Sequence, residues 1–135
     1  MPRSVRPSLL AFAVLVLAAV PSTAAAATFA PVADTYADAG APATNFGRAA
    51  SLRVDATPVL TAYLRFSVAG VGTTTTARLR VFAETANSTG FDVRPVASTT
   101  WGETTLTAQN APAAGAVIAS SGPVAAGTWY TVDVS

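Results

Sequence analysis

From residue 28 onward the chain is divided into short apolar or alternating runs by turns rich in Gly, Pro, Asn and Asp, and this pattern limits the fold more than any other feature. No stretch keeps the i, i+3, i+4 apolar spacing of a helix over a dozen residues. Several short strands without intervening helices are typical of an antiparallel sandwich or barrel. The predicted strands are Thr28–Tyr36, Ser51–Asp55, Thr61–Val68, Ala77–Glu84, Phe91–Pro95, Ala116–Ser120 and Trp129–Val134.

Side chains alternate between the two faces of a strand, so each predicted strand has an inner and an outer set. In Thr61–Val68 the alternation places Leu64 and Phe66 inward, with Tyr63 and Arg65 on the opposite face. The other residues predicted inward are Leu52, Val54, Ala62, Val68, Leu79, Val81, Ala83, Phe91 and Val93, and those predicted outward are Arg53, Ser67, Arg78, Arg80, Phe82, Asp92 and Arg94.

The N-terminal 27 residues have the pattern of a secretory signal peptide. Arg3 and Arg6 precede an apolar run from Leu9 to Val20, and small residues follow it. A run of about a dozen residues is shorter than the ~20 that a membrane-spanning helix needs, so it predicts cleavage near residues 25–27, with an uncleaved signal anchor as the alternative. We therefore expect a signal-peptide helix, then one secreted, extracellular domain at 28–135 without a membrane span.

Charge and residue types exclude several classes of function. Without the signal segment the chain has six Arg and seven acidic residues, so its formal net charge is −1 and it has no basic surplus for nucleic acid. The sequence contains no Cys and no His, which excludes disulfides and Cys/His sites for zinc or haem. Two carboxylates could form a glycosidase pair, but no spacing selects two of them, and no enzymatic activity is predicted. The carboxylates considered are Asp34, Asp38, Asp55, Asp92, Glu103 and Asp133.

Several segments occur in the order in which they stand in a known domain family. They are Phe29–Gly40, Thr44–Gly47, Ser51–Asp55, Ala62–Phe66, Ala77–Val81, and Thr100–Thr107 followed by Asn110–Pro112. In these segments the chain resembles the DNRLRE domain family, which is grouped with carbohydrate-binding module family 96. The resemblance implies a jelly-roll β-sandwich that accompanies other domains in secreted bacterial proteins. It also implies binding to acidic polysaccharide, such as alginate, as the activity.

One departure from the family concerns the last segment, Trp129–Ser135. Family members continue beyond the corresponding segment with at least one further strand. We therefore expect the sandwich at 28–135 to lack its last strand or strands, which would leave a row of unpaired N–H and C=O groups. On this interpretation the chain alone is marginally stable or prone to aggregation.

Four arginines occupy outward positions of the predicted strands. If these strands share one sheet, their guanidinium groups line one face at about 4.8 Å per strand step. Guanidinium pairs bidentately with carboxylate, as a polymer rich in uronic acid requires. The alternative is that these arginines keep the sheet soluble and pair with Asp55, Asp92 and Glu84. The four are Arg53, Arg65, Arg80 and Arg94.

Aromatic side chains are the second device for binding sugars, because the C–H face of a pyranose stacks on a ring. Tyr63 shares its predicted face with Arg65 and is the preferred stacking platform. Trp101 is a further ligand candidate, although packing of its own loop is the preferred interpretation. Trp129 begins the last strand and is expected to pack.

A structural calcium ion is a further expectation, because many sugar-binding jelly rolls hold one with carboxylates and backbone carbonyls of their first and last strands. Asp34, with Asp38 nearby, and Asp133 fit that layout. The sequence and its resemblance together predict a non-catalytic carbohydrate-binding module. The alternative function is a structural spacer or adhesion domain of a cell-surface protein, without a small ligand.

Overall fold

The computed structural model describes residues 26–73 and 76–135, and within them every regular element is a β-strand. The predicted signal-peptide helix falls outside the described residues, except for its last two positions. No helix in this part of the chain is long and apolar enough to cross a membrane. The strands are β1 (Pro31–Asp38), β2 (Asp55–Ala56), β3 (Val59–Phe66), β4 (Arg78–Ala83), β5 (Asp92–Val93), β6 (Ala119–Ser120) and β7 (Thr128–Asp133).

The strands form three antiparallel sheets. One has the order β1-β3-β2, a second pairs β4 with β7, and a third pairs β5 with β6. In the first sheet the register shifts between Pro31 and Ala33, so the pairing at the start of β1 is irregular. The sequence prediction of an all-β, antiparallel sandwich is confirmed.

Each predicted strand overlaps an observed one, but Ser51–Asp55 was almost entirely wrong. The strand there is Asp55–Ala56, which forms a tight hairpin with Val59 and Leu60. The Asp55 carboxylate accepts the backbone N–H groups of Ala56 and Thr57 at 2.7 and 3.2 Å and so starts the turn. The segment before it is irregular, and the predicted inward side chains Leu52 and Val54 are both exposed.

The predicted alternation is confirmed in β4 and holds only in part in β3. In β4 the exposed residues Arg78, Arg80 and Phe82 alternate with half-buried neighbours. Around β5, Phe91 and Val93 are likewise more buried than Asp92 and Arg94.

In β3 both faces are partly buried, because Leu60, on the face of Ala62 and Leu64, is only 5% exposed. Tyr63 is only 7% exposed, while Phe66, predicted inward, is 37% exposed. Val68 lies beyond the strand and is exposed too. The reason is an irregular segment, residues 97–113, which we call the Trp101 loop and which packs on the face of the β1–β3 sheet that carries Tyr63. This loop supplies Leu106, which is buried against Ala37 and Tyr63 to form the core.

The Trp101 loop is held by the turn that follows β1. Asn45 Nδ2 donates hydrogen bonds to the carbonyl oxygens of Glu103 and Leu106 at 2.8 and 2.7 Å. A Cβ atom at Gly47 would collide with the Glu103 carbonyl group, so only glycine permits this approach. The ring of Phe46 stacks on Tyr36, with centroids 4.3 Å apart. These sequence landmarks therefore position the loop on the sheet.

Candidate functional site

An open cleft of about 1110 Å³ lies between β3 and β4. Its walls come from β3, β4, the irregular segment before β2, and the chain around β5. No Cα atom of β3 comes within 8 Å of one in β4, so the two strands are separated by more than one strand spacing. All six ligand candidates from the sequence line this cleft: Arg53, Tyr63, Arg65, Arg80, Arg94 and Trp101.

The four arginines do not share a sheet, so the expected row of guanidinium groups was wrong. Arg65 lies in β3 and Arg80 in β4, which belong to different sheets. Arg94 follows β5 in the third sheet, and Arg53 lies in the irregular segment before β2. They reach one cleft from separate elements, because the chain crosses between sheets and sequence alternation cannot show these crossings.

Arg65 holds the Trp101 loop. Its Nη1 atom donates hydrogen bonds to the carbonyl oxygens of Thr99 and Trp101, each at 2.7 Å. Its guanidinium carbon also lies 5.3 Å from the centroid of the Trp101 ring, within the range of a cation–π contact. These contacts fix the loop backbone and leave fewer of the guanidinium donors for a ligand.

Trp101 and Tyr63 belong to the core around this loop. Trp101 is half-buried and packs against the cluster of Ala37, Tyr63 and Leu106. It meets Tyr63 edge to face, with ring centroids 5.9 Å apart. The Tyr63 hydroxyl donates to the Pro112 carbonyl at 3.1 Å, and burial raises the pKa of this phenol. A buried ring cannot stack on a sugar, so the expectation that Tyr63 is the platform was wrong.

Arg94 and Arg53 are exposed at the cleft. Arg94 Nη1 donates to the Gly115 carbonyl at 3.1 Å, which ties it to the neighbouring chain segment.

The carboxylates expected to pair with the arginines have other partners. Glu84 accepts from the Ser51 hydroxyl at 2.6 Å, and Asp92 accepts from the Ser120 hydroxyl at 2.5 Å. Asp55, as described above, caps its own turn.

The β4–β7 sheet carries an exposed aromatic and cationic patch that the sequence analysis missed in part. We call Arg80, Phe82 and Trp129 the β4–β7 platform. Trp129 is 54% exposed and Phe82 47% exposed, and the two stand directly opposite each other in the sheet register. Their ring centroids are 5.3 Å apart, and the guanidinium carbon of Arg80 lies 4.3 Å from the centroid of the Trp129 ring.

The expectation that Trp129 packs was wrong, because in this sheet the buried face is the one that carries Val132. The alternation of β4 correctly places Phe82 beside Arg80 on the outer face. The strand that pairs with β4 comes some fifty residues later, and the sequence does not show which strand that is. The match of Phe82 with Trp129 is therefore visible only in the structure.

The two carboxylates expected to hold calcium lie in different sheets. Asp34 is half-buried in β1, and its backbone N–H donates to Glu103 Oε1 at 3.3 Å. Asp133 is exposed at the end of β7, where the backbone N–H of Ser135 at 3.0 Å, helped by the Ser135 side chain and by Arg78, lowers its pKa. Within residues 26–73 and 76–135, no three Asp or Glu side chains come together as metal ligands. Structural calcium at Asp34 and Asp133 stays a prediction, which melting with and without EDTA tests.

Comparison with known proteins gives a family for this chain. The sequence model of carbohydrate-binding module family 96 matches residues 25–135, which covers all the strands of the fold. No curated protein matches the chain. The match extends over far more than half of the sequence and agrees with the all-β architecture. The chain therefore belongs to carbohydrate-binding module family 96 and is a non-catalytic module.

Proposed function

We propose that this module binds an acidic, uronate-containing polysaccharide through the β4–β7 platform and acts outside the cell as part of a larger secreted protein. The observation that carries the proposal is the exposed Phe82–Trp129 pair with the Arg80 guanidinium beside it on one sheet face. This combination joins an apolar stacking surface to a fixed positive charge. Those are the two kinds of contact that a uronic-acid residue can make.

The aromatic half of the platform fits the apolar face of a sugar ring. Phe82 and Trp129 are about half exposed, and neither belongs to the core. Adjacent exposed aromatic side chains on a sheet indicate an interaction surface, because covering their apolar area with a ligand removes it from water and is favourable. Since both sit on paired strands, they are held in place before a ligand arrives, and little side-chain order is lost on binding.

The cationic half supports an acidic ligand. Arg65 and Arg94 donate to backbone carbonyls, whereas the guanidinium of Arg80 lies over the exposed indole of Trp129. A guanidinium in this position can turn its donors toward a carboxylate on the sugar that stacks beside it. Arg94 and Arg53, farther along the cleft, supply charge to neighbouring units of the polymer. The fold around this surface is stabilised by Arg65, Trp101 and Tyr63.

Affinity electrophoresis in gels that contain alginate, pectin or a neutral glucan tests the proposal. We expect alginate and pectin to slow the native protein and the neutral glucan to leave its mobility unchanged. Trp129→Ala should raise the dissociation constant about tenfold or more, since one stacking contact is lost. Arg80→Ala should act on the uronates in the same direction.

Arg48→Ala is the matched control for Arg80→Ala, because Arg48 is exposed but does not line the cleft. It should leave retardation unchanged. Equal retardation by neutral glucan would argue against uronate recognition. A complete lack of retardation in every gel would contradict the proposal and favour a structural spacer.

A further inference from the structure

Strand β4 has one free edge. It pairs with β7 on one side, and in the described part of the chain no strand pairs with its other side. Consecutive residues from Arg80 to Glu84 line the cleft. Since neighbouring side chains of a strand point to opposite faces, such an unbroken run means that the backbone edge itself borders the cleft. A free edge of this kind offers N–H and C=O groups to another strand.

The residues along this edge are complementary to themselves in the antiparallel direction. If Val81 faces Val81 of a second copy, Leu79 faces Ala83, and the apolar set of one copy continues into that of the other. In the same register Arg80 of one copy stands opposite Phe82 of the other, which gives one cation–aromatic pair on each side of the two-fold axis.

The charges at the ends of this register match as well. Arg78 of one copy faces Glu84 of the other, and the two-fold symmetry makes this pair twice. Glu84 already accepts the Ser51 hydroxyl through Oε2, so its second oxygen is the one that meets the arginine. Shifting the register by one residue would break the ion pairs and place apolar side chains opposite charged ones.

We propose that a second copy of this chain pairs with the first along the free edge of β4, in the register centred on Val81. The result is a symmetric, four-stranded sheet with the order β7-β4-β4-β7. Its interface is isologous and closed, so association stops at a dimer instead of forming open chains.

The dimer has a consequence for binding, and this part rests on the proposed function. Phe82 and Trp129 of both copies then lie on one continuous sheet face, with the two platforms related by the two-fold axis. One polymer chain can contact both, and the second contact forms at a high effective concentration. Binding to long polymer should therefore be stronger than binding to a short oligosaccharide.

Sedimentation velocity of the native protein, over a range of concentrations and without sugar, tests the dimer. We expect a monomer–dimer equilibrium. Arg78→Glu would bring two carboxylates together at both ends of the contact, and Glu84→Arg would bring two guanidinium groups together there. Each variant alone should dimerise about tenfold more weakly or worse. Arg48→Glu, a charge reversal at an exposed site outside β4, is the control and should dimerise like the native protein.

Two further samples make the test specific to this register. An equimolar mixture of Arg78→Glu and Glu84→Arg should form heterodimers, because both contacts are again between opposite charges. These heterodimers would also show that neither single change unfolds the chain. The double variant Arg78→Glu/Glu84→Arg should recover the homodimer. The proposal would be overturned if the native protein were monomeric at every concentration. It would also be overturned if neither single charge reversal weakened the dimer. Trp129→Ala should still dimerise, so failure of sugar binding and failure of the dimer are separate results.

Discussion

The same pair of residue types, an arginine over a tryptophan, occurs twice in this molecule with opposite consequences. At the Trp101 loop, the guanidinium of Arg65 donates to two backbone carbonyls and the indole packs on the core. On the β4–β7 platform, the guanidinium of Arg80 covers an indole that is exposed. The first pair joins a loop to a sheet, and the second is available to a ligand.

The difference comes from what surrounds each pair, and not from the pair itself. Arg65 lies on a sheet face that an irregular loop covers, so its donors find carbonyl oxygens within 2.7 Å. Arg80 lies on a face that nothing in the described part of the chain covers, in a strand with exposed neighbours. A cation–π contact therefore says little about function until the hydrogen-bond partners of its cation and the exposure of its ring are known.

The largest expected effect separates the two tryptophans by stability. Trp101→Ala should lower the free energy of unfolding by about 3 kcal/mol, because it removes a large side chain that packs against the core cluster. Trp129→Ala should cost about 1 kcal/mol or less, since it removes one exposed aromatic pair. Urea denaturation of both variants measures this difference. Equal losses would mean that the two indoles share one role.

The next effect separates the two arginines. Arg65→Ala should destabilise the protein by about 1.5 kcal/mol, because the carbonyls of Thr99 and Trp101 lose a charged donor. Arg80→Ala should change stability by no more than about 0.5 kcal/mol.

For each variant, urea denaturation measures the stability and retention on alginate measures the binding. We expect Arg80→Ala to lose retention while its stability is unchanged. Arg65→Ala should still be retained on alginate under conditions in which it is folded. Loss of retention by folded Arg65→Ala would show that this arginine also touches the ligand.

The same contrast explains how much the sequence could predict. In β4 one face packs and the other is free, so the alternation of Arg78, Arg80 and Phe82 with apolar residues gave the faces correctly. In β3 the loop covers the face of Tyr63 while Leu60 is buried on the opposite face, so two-residue alternation could not show that both faces are partly buried. The covering contacts join distant positions: Asn45 reaches Glu103 and Asp34 reaches the same residue across 69 positions of the chain. Local periodicity carries no information about such contacts.

The candidate site divides in the same way. All six ligand candidates do line one cleft. Their roles could not be predicted from the sequence, since each role depends on which carbonyl group or aromatic ring lies near the side chain. Packing was the preferred interpretation for both tryptophans, and in the structure Trp101 packs on the core whereas Trp129 is exposed.

The smallest expected effect concerns acid and the C-terminal end of β7, in the sheet that carries the platform. The backbone N–H of Ser135 lowers the pKa of Asp133, with further help from its hydroxyl and from Arg78. A carboxyl whose folded pKa lies below its unfolded value stabilises the fold above the unfolded pKa of about 3.9, and this contribution disappears as the pH falls through the folded pKa. Stability measured by urea denaturation between pH 5 and pH 3 should therefore fall slightly more in the native protein than in Asp133→Asn. Because Asp133 is exposed, the difference should be small, and it should shrink further in high salt. Parallel curves for the two proteins would show that ionised Asp133 does not stabilise the fold.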